Sequence, residues 1–226
     1  MEKPLNIVAL IFPGMTQLDL TGPLEFISKI PGAHVTLAWR EPTPITNDSG
    51  FAILPSTTFA DAPQADVLLV PGGAGVFDFI EDADVIDFVR RQGTGARFVT
   101  SVCTGAFFLG AAGLLQGRRA TTHWASHALL AHLGATPVAE RVVVDGNVIT
   151  GGGVTSGIDF GLRVVAEVGG EALARKVQLA LEYDPQPPFD SGAARADDPA
   201  VQQLRAHYVE TRGPRLARIG AALAGS

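Results

Sequence analysis

Residues 98–115 read FVTSVCTGAFFLGAAGLL, and the change of residue type along this stretch decides the fold. The run RFVTSV (97–102) is apolar and β-branched without alternation, the pattern of a strand covered on both faces. TGAFFLGAAGLL (104–115) then supplies the small and straight-chain residues of a helix packed against a sheet. Cys103, the only cysteine of the chain, falls in the turn between the two. That is the position of a nucleophile elbow, in which the reactive side chain sits at the carboxyl edge of the sheet. Open parallel sheets take their ligands at that edge. Backbone N–H groups at a helix start lower a thiol's pKa, so the position favours a reactive thiolate. Gly105, Ala106 and Gly110 leave room for the helix to approach the sheet closely. The competing reading is an inert, buried cysteine, a common fate of this residue.

Outward from the elbow, the same strand pattern recurs in NIVALIF (6–12), HVTLAW (34–39), DVLLVP (66–71) and NVIT (147–150). Helical segments alternate with these strands. Thr21 before Gly22–Pro23 offers an N-cap with proline in the first turn, and Leu24, Ile27 and Ile30 repeat at helical spacing. EDADVIDFVRRQG (81–93) has an acidic start, a basic end and a glycine stop. GIDFGLRVVAEVGG (157–170) and GEALARKVQLALEY (170–183) read as two helices parted at Gly169–Gly170. Hairpins are expected at ITNDSGFAIL (45–54) and at VVVDGNVIT (142–150), where Asp-Gly marks a tight turn. Residues 184–199 form a loop rich in proline and glycine. The final stretch reads as a basic tail helix broken near Gly213–Pro214. The alternation predicts an α/β sandwich around a mostly parallel sheet.

Composition narrows the function classes. With 46% hydrophobic and 18% charged residues in 226, the chain has ample material for one large core. A net charge of −6 gives no reason to expect nucleic acid or an anionic membrane as partner. One cysteine allows no internal disulfide, which suits the cytoplasm. MEKPLNIVALIFPGM (1–15) is too short in its apolar core, and too soon broken by Pro13–Gly14, for a signal peptide, and reads as the first strand. No apolar run is long enough to span a bilayer.

A thiol nucleophile needs a group that handles protons. Asp19, after the first strand and flanked by Leu18 and Leu20, is the candidate, since partial burial would raise its pKa towards that of a working acid–base. The alternative is a local helix cap. Gly72 and Gly73, after a buried strand, could turn backbone N–H groups towards a ligand. Neither G-x-G-x-x-G nor G-x-x-x-x-G-K-[ST] fits here, so nucleotide binding has no support. His123 could pair with a thiol, though a histidine beside Trp124 is more often packed or capping. His127 and His132 lack partners at ligand spacing, and no metal is expected. Phe77, Phe107, Phe108 and Trp124 either shape an apolar pocket or belong to the core.

The acid after the first strand, PGG (71–73), VCTG (102–105) and ATTHW (120–124) together resemble the ThiJ/PfpI branch of the class I glutamine amidotransferase-like superfamily. QLDLTGP (17–23), residues 98–124, GGGVTSGIDF (151–160) and KVQLALEY (176–183) are similar to the bacterial isocyanide hydratases within it. The likeness runs to about Phe189. It implies a flavodoxin-like three-layer sandwich over residues 1–190 and a homodimer; the stretch beyond it, 191–226, reads from its own residues as a helical tail packed on that domain or on a dimer partner. It also implies cofactor-independent addition of water to an isocyanide to give an N-substituted formamide. In that chemistry Cys103 attacks, Asp19 moves protons, and backbone N–H groups near Gly73 and Thr104 hold developing charge, with Val154 and Thr155 lining the pocket. Thr104 stands where the superfamily's proteases carry histidine, which argues against peptidase activity. Asp19 stands in place of the glutamate typical of the deglycase branch, which favours the hydratase, with action on reactive aldehydes as the alternative. A redox-sensing cysteine is the second alternative. The tail is too short for the helix-turn-helix domain some relatives carry.

Overall fold

In the computed structural model, which describes residues 4–225, the strands are β1 (Leu5–Leu10), β2 (Ala33–Trp39), β3 (Ile45–Thr46), β4 (Ala52–Ile53), β5 (Thr57–Thr58) and β6 (Val67–Val70). They continue with β7 (Phe98–Val102), β8 (Arg119–Ala120), β9 (Thr136–Pro137), β10 (Val142–Asp145) and β11 (Val148–Gly151). The helices are α1 (Gln17–Ile27), α2 (Val76–Phe79), α3 (Ala83–Gly95), α4 (Ala106–Ala111), α5 (Ser156–Gly169), α6 (Glu171–Ala180) and α7 (Pro199–Ala224). Two 3₁₀ segments, Cys103–Gly105 and Trp124–Leu133, complete the chain. Residues 1–3 and 226, the outer ends of the predicted domain and tail, lie outside the described residues.

Seven strands form one sheet in the order β10-β11-β7-β6-β1-β2-β5, parallel except for β10 against β11. The continuous apolar runs explain it: all four residues of β6 and all but one of β1 are buried, as a sheet covered on both faces requires. The chain leaves β1 towards β2 and returns to β6 on the other side, so the strand order reverses at β1. Right-handed crossovers then place α1 and α3 on opposite faces. α1 packs on α5 and α5 on α6, whereas α3 packs on α4, which meets the Trp124–Leu133 segment. The result is the flavodoxin-like three-layer sandwich expected, with its crevice at the carboxyl ends of β1, β6 and β7.

Both expected hairpins form, β3 with β4 and β10 with β11, and the break at Gly169–Gly170 separates α5 from α6. Four local expectations need correction. α1 begins at Gln17 after Thr16, so Pro23 lies inside it and Thr21 Oγ is bonded back to the Gln17 carbonyl (3.1 Å) rather than capping. α3 runs past Gly93 to Gly95, with Asp82 as its N-cap. Gly110 faces Leu133 of the 3₁₀ segment rather than the sheet; Gly105 is the residue pressed against the Val70 and Pro71 carbonyls. Finally, the tail is one 26-residue helix that runs through Pro214.

Tertiary packing accounts for that last difference. Proline inside a helix costs about 3 kcal/mol, but α7 lies along the Trp124–Leu133 segment with Leu216 fully buried. Packing of Val201, Gly213 and Leu216 against that surface offsets the local penalty. Arg215 and Arg218 also reach Glu81 at 2.6 and 2.8 Å, and Arg215 donates to the Phe77 carbonyl. Hydrogen bonds from the two guanidinium groups hold the Glu81 carboxyl below its usual range. Leu216→Ala is therefore expected to cost about 2–5 kcal/mol and to lower the melting temperature of the whole protein in calorimetry. A tail not integral to the fold would leave the main transition unchanged.

Candidate active site

Cys103 closes β7 and opens the short 3₁₀ turn before α4. Its φ of +56° lies in the left-handed region, disfavoured for a residue with a side chain. Such a backbone costs about 1–3 kcal/mol and persists only when its surroundings hold it. Here the Cys103 N–H donates to the Gly152 carbonyl (2.8 Å), and Thr122 Oγ donates to the Cys103 carbonyl (2.7 Å). The sulfur is thereby turned towards the crevice, where the backbone N–H groups of Thr104 and Val154 bond to it. Val154 pays for this approach with a φ of +20°, an outlier for a β-branched residue.

Asp19 comes from the first turn of α1, just past the end of β1. It is fully buried. Its Oδ2 accepts the Gly72 N–H at 3.0 Å, and its Oδ1 is buried with no hydrogen-bond partner among the described residues. Gly72 separates the two reactive side chains closely. A Cβ there would stand 2.8 Å from both Asp19 Oδ2 and Cys103 Cβ, and 2.6 Å from the Thr104 nitrogen. Only glycine fits between acid and thiol.

Burial sets the ionisation of both groups. Removal from water raises Asp19 from 3.8 to about 7, opposed by the Gly72 N–H and the Cys103 thiol and assisted by the charge of Asp48. Burial likewise pushes the Cys103 thiol up to about 12, assisted by the Asp19 charge and opposed by the Thr104 and Val154 N–H groups. The sequence predicts a lowered thiol pKa; the structure overturns this. The turn is only three residues long, and Cys103 is 5% exposed, so desolvation outweighs the peptide dipoles. The carboxyl is the stronger acid, so when the pair holds one proton, that proton resides on sulfur.

The other predicted residues take several roles. Thr104 Oγ is bonded to both the N–H and the carbonyl of Gly73, at 2.9 and 3.0 Å. The Gly73 N–H is thus occupied and braces the turn rather than facing a ligand; the Gly72 N–H is held by Asp19, and Thr104 and Val154 supply the donors to the sulfur. A backbone N–H leaves no residue-type signature, which is why sequence inspection misplaces it. His123 caps the 3₁₀ segment, its Nδ1 accepting the Ala125 N–H at 3.3 Å. Burial, and then the charge of Arg212, keep its imidazole below the usual range. Phe107 and Phe108 are wholly buried core residues, Phe108 edge-on to Phe12 at 5.3 Å. Phe77 lies under Arg212 (4.2 Å), and Trp124 under Arg205 (5.8 Å). Trp124, His123, Val154 and Thr155 line a cavity of about 960 Å³. Thr122 and the two arginines of α7 are contributors that sequence inspection missed.

Among the described residues, no group of three His, Cys, Asp or Glu side chains could hold a metal ion, and no helix is long and apolar enough to cross a membrane. A buried thiol and a buried carboxyl thus meet at the carboxyl edge of a mostly parallel α/β sheet. Residues 6–167 match the DJ-1/PfpI family, and the chain belongs to it. It is similar to the isonitrile hydratase of Pseudomonas putida, 54% identical over 197 residues covering 87% of this chain and 86% of that protein. Its structure is similar to that of a ThiJ/PfpI family protein from Pseudomonas syringae, with a TM-score of 0.85 and 40% identity over 99% of this chain and 92% of the other. Drosophila melanogaster DJ-1beta shares the fold, with a TM-score of 0.73 and 23% identity over 81% of this chain and all of the other.

The raised pKa of Asp19 has a measurable cost. The native carboxyl keeps its proton up to about pH 7, whereas the unfolded one releases it near 3.8. The native state therefore binds the extra proton in that window, and stability falls as pH rises through it. Carrying the charge above that range costs up to about 4 kcal/mol. Asp19→Asn, which removes the charge, should be more stable than wild type in urea unfolding at mildly alkaline pH, by about 1–4 kcal/mol, with the difference vanishing near the acid end. An equal or lower stability of the variant at alkaline pH would contradict a buried, high-pKa carboxyl.

Proposed function

We propose that this chain hydrates isocyanides to N-substituted formamides through a covalent adduct on Cys103, without metal or organic cofactor. The observation that carries the reading is the contact of a strained, buried thiol with a carboxyl whose pKa of about 7 matches neutral working conditions. Similarity to the Pseudomonas putida isonitrile hydratase, 54% identical over most of both chains, supports the choice of substrate.

The chemistry follows from the one-proton state. The Cys103 sulfur bonds to the terminal carbon of R–N≡C while its proton passes to the Asp19 carboxylate. Asp19 then delivers that proton to the same carbon, giving the thioimidate R–N=CH–S. Next, the carboxylate takes a proton from water as the oxygen adds to that carbon, and passes it to nitrogen. The resulting R–NH–CH(OH)–S adduct collapses: the C–S bond breaks, the hydroxyl proton returns through Asp19 to sulfur, and R–NH–CHO leaves. The N–H groups of Thr104 and Val154, which bond the sulfur, hold its negative charge whenever the C–S bond is partly made. In this reading the domain over 1–190 carries the chemistry, the 191–226 tail roofs it, and the protein works in the cytoplasm as a homodimer. The lone cysteine supports the compartment, and the family likeness supports the dimer.

Incubation with an aryl isocyanide, followed by detection of the formamide, tests the proposal. Cys103→Ala should abolish turnover, and Asp19→Asn should lower it about 10²–10⁴-fold. Full activity of the alanine variant would overturn the mechanism. Consumption of methylglyoxal with no action on isocyanides would transfer the assignment to the aldehyde alternative. The pH dependence is also fixed. The competent form appears as Asp19 ionises and persists until the thiol does, so kcat/KM should rise with pH through about 7 and stay level well into the alkaline range. A rate that falls with rising pH through that value would contradict the one-proton state.

A further inference from the structure

Thr16-Gln17-Leu18-Asp19 opens α1 with the spacing of a capping box. In such a box the N-cap hydroxyl accepts the N–H three residues on, and the acid at that position reaches back to the N-cap N–H. Neither bond is made here. Thr16 is the N-cap, yet its side chain forms no cap bond. Its N–H donates to the Gly72 carbonyl (2.9 Å), and the Asp19 N–H donates to the Thr16 carbonyl (3.1 Å). Asp19 Oδ2 accepts the Gly72 N–H, and the Cys103 thiol bonds the same carboxyl. The acid is thus turned to the reactive turn instead of its own helix end.

The Thr16 hydroxyl is taken by another residue, Asp48. Thr16 Oγ donates to Asp48 Oδ2 at 2.6 Å. Asp48 lies in the loop of the β3–β4 hairpin, which is fastened to the turn before α1. The Gly14 N–H donates to the Thr46 carbonyl and the Asp48 N–H to the Met15 carbonyl, both at 3.0 Å. Within the loop, buried Asn47 accepts the Ser49 N–H on its Oδ1 at 2.9 Å. The Asp48 carboxylate is therefore held one hydrogen bond from the residue that opens α1. Its only other side-chain bond among the described residues is from the Ser49 hydroxyl (3.3 Å), and it forms no ion pair among them. The remaining charges of α1 and its neighbour α5 are matched. Glu25 pairs with Lys29, Arg163 pairs with Glu167, and Asp159 is bonded to Arg141 and Tyr183. The titratable groups that act on Asp19 are the Cys103 thiol, which favours its charged form, and Asp48, whose like charge opposes it.

We propose that Asp48 is a positioning residue for Asp19. It draws the Thr16 hydroxyl away from the helix end, so that Asp19 stays turned to Gly72 and the thiol, and it sets a second negative charge beside the turn that carries the acid. The hairpin thereby converts what would be an ordinary helix cap into an acid–base group. This inference deepens the hydratase reading and rests on it for the proton transfers alone.

The experiment compares Asp48→Asn, which keeps an oxygen for Thr16 but no charge, with Asp48→Ala, which keeps neither. Infrared difference spectra, each variant against the same variant carrying Asp19→Asn, follow the Asp19 carboxylic acid without substrate. At low salt its midpoint in Asp48→Asn should lie about half a pH unit below that of wild type, and high salt should narrow the gap. Loss of hairpin packing alone would not produce that salt dependence. An unmoved midpoint at low salt would overturn the proposal. With an aryl isocyanide, the rise of kcat/KM with pH should move in the same direction. Above both midpoints, Asp48→Ala should have a kcat about tenfold lower than Asp48→Asn, because the acid is no longer held in place. Equal kcat values would overturn the part given to the Thr16 hydroxyl. If no isocyanide is consumed, the hydratase reading fails, and the infrared midpoint still decides the role of Asp48.

Discussion

A carboxyl and a thiol removed from water side by side are a constraint that much of the surrounding structure serves. Each group alone would resist ionisation at this depth; the thiol eases the carboxylate's charge, whereas the carboxylate makes a thiolate harder to form. When together they hold one proton, it resides on sulfur, because the carboxylate is the weaker base of the two. The contact tolerates no intrusion: Gly72 leaves space for nothing larger, and the same residue's N–H steadies the carboxyl. In the proposed chemistry no charge need be imported from outside, since the proton that leaves sulfur has a neighbouring acceptor.

The sheet supplies the geometry for that contact. Reversal of strand order at β1 brings three loops to one edge, so Asp19 arrives from α1 after β1, Gly72 from the end of β6, and Cys103 from the end of β7. Strain at Cys103 is sustained by its N–H bond to the Gly152 carbonyl and by the bond from Thr122 Oγ, both far away in the chain. α7 then lies across the Trp124–Leu133 segment and sets Arg205 and Arg212 over Trp124 and Phe77. The tail is therefore part of the site's wall as well as of the fold.

The sheet and the elbow were legible from sequence because they depend on long runs of one residue type: a covered strand needs unbroken apolarity, and a lone cysteine between strand and helix patterns has a definable place. Hairpins followed from turn residues for the same reason. What failed was anything set by three-dimensional depth. Thr104 at a helix start argues for an acidic thiol, but how far Cys103 sinks below the surface is a property of the assembled layers. Gly73 and Val154 could not be ranked as donors, since every residue but proline offers an N–H and only the fold decides which is free. Pro214 argues for a helix break locally, and α7 continues because Leu216 and its neighbours find a partner surface.

Whether Asp19 keeps its proton to neutral pH can be read without substrate. Infrared difference spectra of wild type against Asp19→Asn, recorded across pH, isolate the C=O stretch of this one carboxylic acid. The account predicts that the protonated band persists up to a midpoint near 7. A band that disappears near the ordinary value of 3.8 would show a solvated carboxylate and remove the basis of the proton transfers described above.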